Sequence, residues 1–280
     1  MSIKTYIKRG LQYILKGVPE VRANVSVIAP NEMLKNRCAL ITGGTSGIGL
    51  EIAKAFTNAG ASVVITGRNQ DKIDKACITI GEKAQGIVWD CTDIKNIDTK
   101  FDEVLKLSGK IDILVNNAGV VGGEVKDCDE EKYDQILDTN LKATFFIAQK
   151  FGKYFKENNI KGNILNIGSS SSLRPATSAY TISKWGICGF TKGLAKILAP
   201  YGITVNGLAP GPTATPMLMP GGIKEDIAFP NPLGRYILPE EIANMAVFLV
   251  AETGRAIIGD MIFMTGGSGV VTFDDVKYSF

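Results

Sequence analysis

The chain has 280 residues, of which 45% are hydrophobic and 21% charged, and it carries a formal net charge of +3 with no histidine. This composition is globular, sufficient for one large α/β domain or two small ones, and it excludes a disordered chain. Without histidine, Ser-His-Asp hydrolysis and histidine-ligated metal sites are excluded as well.

Five cysteines, Cys38, Cys77, Cys91, Cys128 and Cys188, form no CxxC pair. The odd count favours free thiols in a reducing compartment over a disulfide framework or a zinc site. Seven basic residues against Glu20 and Glu32 make residues 1–40 net +5 and leave −2 for the remainder. The main body therefore has no basic excess that argues for nucleic acid. No apolar run approaches the ~18 residues needed to cross a bilayer, and the N-terminus lacks a signal peptide's apolar core and cleavage site. A soluble, cytoplasmic protein is expected.

Residues 1–35 read as an N-terminal extension. Ile3, Ile7, Leu11, Ile14, Leu15 and Val18 fall at helical spacing, with Lys4, Lys8, Arg9 and Lys16 mostly elsewhere, and Gly17 and Pro19 end the pattern. Such a basic amphipathic helix either packs on its own domain or a partner subunit, or lies on an anionic membrane surface.

From residue 36 to 280 a single domain is expected. Seven short apolar runs, at 38–42, 62–67, 86–90, 111–119, 162–169, 203–210 and 261–267, alternate with segments of helical length. Most are rich in Val and Ile and bounded by Gly, Asn, Asp or Pro, as strands buried on both faces are. The pattern predicts a Rossmann-type, doubly wound α/β domain of about seven parallel strands with helices on both faces. In such a sheet ligands bind beyond the carboxyl ends of the strands. There the sequence places Gly43 to Gly49, Gly67-Arg68, Asp90-Cys91, Asn116 to Gly119, Ser169 and Pro210-Gly211.

The stretch TGGTSGIG, residues 42–49, closes the first strand and opens a helix through Ile48, Ile52, Ala55 and Phe56. Glycines let a backbone approach a pyrophosphate closely, and the N–H groups at the helix start complement its charge. An ordinary strand–helix turn is the alternative, but the position after the first strand of a βαβ unit favours dinucleotide binding. At the end of the second strand, where an NAD site usually has a carboxylate, stand Gly67 and Arg68. A guanidinium pairs with a ribose 2′-phosphate, so NADP(H) is favoured and NAD(H) stays possible; otherwise Arg68 only solvates the turn.

Tyr180 and Lys184 share one face of a predicted helix, eleven residues after Ser169 at the end of a strand. A nearby ammonium favours phenolate, which is how a protein without histidine can do acid–base work. In EEKYDQILDTNLKATFF the inward positions of one long helix run Tyr133, Ile136, Leu137, Asn140, Leu141, Thr144 and Phe145. The Asn140 amide then either bonds helix backbone or holds water and substrate-side groups.

Taken together, TGGTSGIG, NNAG (116–119), TNL with Asn140, NIGS with Ser169, YTISK and PGPTAT (210–215) resemble the short-chain dehydrogenase/reductase family over about residues 36–267. The resemblance implies hydride transfer between a nicotinamide cofactor and a small-molecule carbonyl or secondary alcohol, as in a 3-oxoacyl reductase. By that resemblance Tyr180 is the acid and base, Lys184 holds the nicotinamide ribose and lowers the tyrosine pKa, Ser169 bonds the substrate oxygen and Asn140 fixes a relay water. It also assigns cofactor contacts to Gly43, Thr45, Ser46, Gly47, Ile48, Gly49, Arg68, Asp90, Cys91, Asn117, Ala118 and Gly119, besides Tyr180 and Lys184. Pro210, Gly211, Thr213 and Thr215 match the loop about the nicotinamide carboxamide, and Asn116 a brace between central strands. The serine–tyrosine interval is about two residues shorter than a common family spacing, so Ser170 stands as an alternative to Ser169. A homotetramer or homodimer is also implied.

Prolines 212, 216, 220, 230, 232 and 239, with Met217, Leu218 and Met219, match the family's substrate lid over about 212–239. A catalytically silent nicotinamide-binding sensor or scaffold is the alternative, though such a protein has no need of all four catalytic residues together.

Overall fold

The computed structural model describes residues 29–219, 221 and 227–273. Seven strands, β1 (Cys38–Ile41), β2 (Ser62–Gly67), β3 (Ala84–Val88), β4 (Ile113–Asn116), β5 (Asn163–Ile167), β6 (Thr204–Pro210) and β7 (Met261–Met264), form one parallel sheet in the order β3-β2-β1-β4-β5-β6-β7. Six of the seven apolar runs contain one strand each, whereas β3 begins two residues before the run at 86–90 and ends within it. Alternate residues of a strand face opposite sides. Ala39 and Ile41 therefore join one core, whereas Cys38 and Leu40 join the other.

On the first side pack α1 (Gly47–Asn58), α2 (Gln70–Ile80) and α7 (Pro239–Val250); on the second pack α3 (Ile97–Ser108), α5 (Ala143–Glu157) and α6 (Ala179–Leu198). Ile52 and Phe56 of α1, one turn apart, are fully buried. Ile147, Phe151 and Phe155 likewise form a stripe along α5, and Phe151 meets Phe101 of α3 edge to face at 5.1 Å.

One long helix was expected over residues 130–146. The chain instead forms α4 (Glu130–Leu137), a π-helical turn over Asp138–Lys142, and α5. Asn140, within that turn, is buried as an inward position should be, whereas Tyr133 before it and Phe145 after it are exposed. The wider turn shifts the helical phase of the residues that follow it.

At the amino ends of the strands, Arg37 Nε donates to Asp112 Oδ1 at 2.8 Å and its Nη2 donates to Asn163 Oδ1 at 2.6 Å. Nη1 of the same side chain reaches Val250 O at 3.4 Å. This clasp joins β1, β4, β5 and the end of α7 on the edge away from the glycine turn. Leu34, ahead of β1, is fully buried in the first core, so the packed unit already includes it. The predicted amphipathic helix, and positions 220 and 222–226 of the predicted lid, lie outside the described residues.

Candidate active site

A cavity of about 1170 Å³ opens along the carboxyl ends of the strands. It lies where β1 and β4 are neighbours and the winding of the sheet reverses, the usual ligand crevice of such sheets. The glycine turn, the ends of β2 to β6 and the start of α6 line it.

In the turn, Gly43 has φ +65, and a Cβ there would stand 3.0 Å from Ala118 Cα. The loop after β4 is thereby brought directly beneath the turn. Asn117 Nδ2 donates to Thr42 O (2.9 Å) and Gly43 O (3.0 Å), while Thr42 Oγ1 accepts from the Asn117 and Ala118 N–H groups. Gly43, Thr45, Ser46, Gly47 and Ile48 line the cavity, as do Asn117, Ala118 and Gly119; Gly49 does not. A Cβ on Gly49 would overlap Asn117 Nδ2 and Gly43 O, so this last glycine of the stretch serves packing rather than contact. Ser46 begins α1 in extended conformation without a capping bond from its side chain.

Past β2, Arg68 is exposed, lines the cavity and makes no hydrogen bond or ion pair among the described residues. At Gly67 a Cβ would meet Thr45 Cγ2 at 2.7 Å, so any side chain there requires Thr45 to move. Past β3, Asp90 Oδ1 accepts from Thr92 N–H (3.0 Å) and Oγ1–H (2.8 Å). Cys91 is buried beside it, and burial pushes its thiol up to about 11. Trp89, missed by the sequence reading because it looked like core, also lines this end.

The YTISK stretch opens α6, whose N-cap Ser178 accepts from Thr181 N–H. Burial raises the Tyr180 phenol above its ordinary value, and a hydrogen bond with Ser169 pulls it down. Ser169 and Ser170 both line the cavity, and the Ser169 hydroxyl donates to Ser171 Oγ at 3.1 Å. Lys184 Nζ donates to Ile167 O at 2.9 Å and lies 5.6 Å from the Tyr180 ring centroid. Burial lowers this ammonium to about 8, with Cys188 acting the other way. Charge alone predicts a lowered phenol; burial of the ring outweighs it.

Asn140 does not reach the cavity lining. Its Oδ1 accepts from Val120 N–H (2.8 Å), and its Nδ2 donates to Val120 O (2.9 Å) and Ser183 Oγ (3.1 Å). The amide is thus bonded not to helix backbone but to Ser183 and to the backbone of Val120, a residue that itself lines the cavity. Asn116 Nδ2 donates to Asn166 Oδ1 at 2.9 Å, bridging β4 and β5.

Beyond β6, Pro210, Gly211, Thr213 and Thr215 line the cavity, and Thr213 Oγ1–H donates to Gly211 O at 2.8 Å. These features share one crevice with the turn and the Tyr180–Lys184 pair. A family model described as short chain dehydrogenase matches residues 37–226. The chain belongs to the short-chain dehydrogenase family.

Among similar proteins, the 3-oxoacyl-[acyl-carrier-protein] reductase FabG of Aquifex aeolicus is 35% identical over 244 residues, covering 84% of this chain and 98% of that protein. The structure of a 3-ketoacyl-(acyl-carrier-protein) reductase from Brucella melitensis complexed with NADH superposes with TM-score 0.79 at 32% identity, covering 85% of this chain and all of that one. A variant of actinorhodin polyketide ketoreductase with NADPH gives TM-score 0.77 at 31% identity, over 84% and 97% of the two chains. This short-chain dehydrogenase is a nicotinamide-dependent oxidoreductase acting between C=O and CH–OH groups.

Besides Met217 and Leu218 of the expected lid, the crevice carries residues of two loops that no motif marks. Glu124, Val125 and Lys126 of the β4–α4 loop and Arg174 of the β5–α6 loop line it. Val125 N–H donates to Thr177 O (3.0 Å) across the two loops. Neither loop has a periodic signal, so only their meeting in space marks them. Among the described residues no cluster of metal-ligating side chains and no helix long and apolar enough to cross a membrane is present.

Proposed function

We propose that this short-chain dehydrogenase is an NADP(H)-preferring carbonyl reductase and alcohol dehydrogenase in which Tyr180 transfers the proton. The observation that carries the reading is that Ser169, Tyr180 and Lys184 line one crevice, with the Lys184 ammonium 5.6 Å from the Tyr180 ring centroid. The crevice suits a dinucleotide: the turn at Gly43 and Gly47 has φ of +65 and +55, and a side chain at Gly43 would crowd the loop beneath it. The turn and the start of α1 would hold the pyrophosphate, Lys184 the nicotinamide ribose, and the 210–215 loop the carboxamide. When bound, the nicotinamide supplies or accepts the hydride.

In the direction of reduction, Ser169 donates a hydrogen bond to the substrate oxygen and Tyr180 gives that oxygen its proton. In oxidation the phenolate takes the alcohol proton. The Lys184 cation stabilises the phenolate in both directions. Asn140 holds the Val120 loop through its amide, and in this reading it also fixes a water of the proton relay. Met217 and Leu218 of the lid offer an apolar wall to an uncharged carbonyl region, as in a 3-oxoacyl thioester.

Arg68 in place of a carboxylate supports NADP(H). Equilibrium binding tests it: NADPH binds tighter than NADH, and Arg68→Ala removes most of the difference. Equal affinities would sink the preference and leave the chemistry intact. For the chemistry, Tyr180→Phe is expected to abolish NADPH-dependent reduction of 3-oxo esters and thioesters while NADPH binding persists. Members of the family commonly assemble, and exposed Phe145 on α5 with Ile182 and Trp185 on α6 supports a homodimer or homotetramer here. Sedimentation as a monomer would reject that.

A further inference from the structure

Tyr180 lies in the first turn of α6, where backbone N–H groups have no partner within the helix. Ala179 N–H donates to Gly123 O at 2.8 Å and Tyr180 N–H to Gly122 O at 3.4 Å, both in the β4–α4 loop. Gly123 has φ +73, and a Cβ there would stand 2.8 Å from Ile136 Cδ1 and 2.9 Å from Ala179 Cβ. The close approach of loop and helix therefore depends on a glycine at this point. Farther back, the same loop is gripped at Val120 by the Asn140 amide.

The remaining bond of that amide leads to Ser183. Asn140 Nδ2 donates to Ser183 Oγ at 3.1 Å, and Ser183 Oγ–H donates to the Tyr180 carbonyl at 2.6 Å. A serine that only folds back on its own helix makes a common local contact. Ser183 differs, because its hydroxyl also accepts from a second element and both residues are buried. The backbone of Tyr180 is thus held at its N–H by the loop and at its C=O by Ser183, and both ties converge on Asn140.

We propose that Ser183 is a positioning residue for the acid–base tyrosine, joining the Asn140 amide to the Tyr180 carbonyl so that the phenol stays against Ser169. The proposal rests on the reading of Tyr180 as acid and base. Without the Ser183 hydroxyl, the Tyr180 carbonyl loses its link to Asn140, the first turn of α6 keeps its Ser178 cap and its loop contacts, and the phenol drifts from its partner. A hydroxyl that merely satisfied a helix carbonyl would leave the phenol where it is.

Full-length protein labelled with [ζ-13C]tyrosine reports the environment of the phenol directly, the Tyr180 resonance being assigned by its loss in Tyr180→Phe. Ser169→Ala gives the reference position for a phenol without its hydrogen bond. In Ser183→Ala the resonance moves toward that reference by roughly half the displacement or more. Ser183→Cys, similar in shape and a weaker donor, moves it less in the same direction. The kcat for reduction of a 3-oxo ester falls about tenfold in Ser183→Ala with KM for NADPH unchanged. A Tyr180 resonance at the wild-type position in folded Ser183→Ala overturns the proposal; if that variant does not fold, Ser183→Cys decides by the same criterion. Turnover surviving in Tyr180→Phe overturns the acid–base reading instead, and the resonance positions still decide the role of Ser183.

Discussion

The Lys184 ammonium is 5% exposed, and burial lowers its pKa from an ordinary 10.5 to about 8. Between those two values the unfolded chain binds more protons than the folded one, so stability rises with pH across that window. Below about pH 8 the buried cation opposes folding by roughly 3 kcal/mol. Lys184→Met is therefore expected to raise the urea midpoint at pH 7 in the absence of cofactor. The gain shrinks as pH passes 8 toward 10.5, and turnover falls about a thousandfold. A midpoint that drops at pH 7 would refute the burial account. Tyr180→Phe should likewise lower kcat by about a thousandfold with little change in KM for NADPH, read by single-turnover kinetics. The pairing of these two residues was legible from their spacing. The rise of the phenol pKa was not, because burial depends on neighbours that no local pattern names.

At the scale of elements, the central strands β1, β4, β5 and β6 were readable because they are buried on both faces and so appear as largely apolar runs. The edge strand β3, by contrast, is mostly open, and its run was placed two residues late. Asn140 was marked as unusual for sitting on an apolar helix face, yet its π-helical turn and its grip on Val120 left no trace in periodicity. A turn wider by one residue shifts the phase of everything after it, which is why Phe145 faces solvent. The glycine turn was legible as a motif, but the division of labour within it was not. Gly43 lies against the cavity, whereas Gly49 makes space for Asn117. Likewise, the short distance from a Cβ at Gly67 to Thr45 Cγ2 has a measurable consequence. Gly67→Asp alone should weaken NADPH binding without improving NADH binding, because the new side chain collides with Thr45. Adding Thr45→Ser removes the colliding methyl, and NADH affinity should then rise several-fold in fluorescence titration. Improvement from the single change would show that the turn yields more readily than its packing implies.

Across the whole molecule, chemistry and anchorage occupy opposite edges of the sheet. The carboxyl ends carry the crevice; the amino ends carry Arg37, Asp112 and Asn163, whose bonds tie β1, β4, β5 and α7 together. Asp112 also accepts from Cys38 N–H at 3.1 Å. Asp112→Ala leaves the Arg37 guanidinium half-buried without its carboxylate, and about 3 kcal/mol of stability should be lost, measured from the urea midpoint. Catalytic constants of the folded fraction should not change, since the clasp lies across the sheet from Tyr180. The parallel order itself was predictable from alternating strand and helix lengths, whereas the clasp was not, because Arg37, Asp112 and Asn163 stand up to 126 positions apart. The separation also bears on how this enzyme can change over generations. Variants that harden the amino edge against heat leave the crevice untouched, so tolerance accumulated there can offset destabilising exchanges around Met217 and Leu218 that recruit a different carbonyl compound.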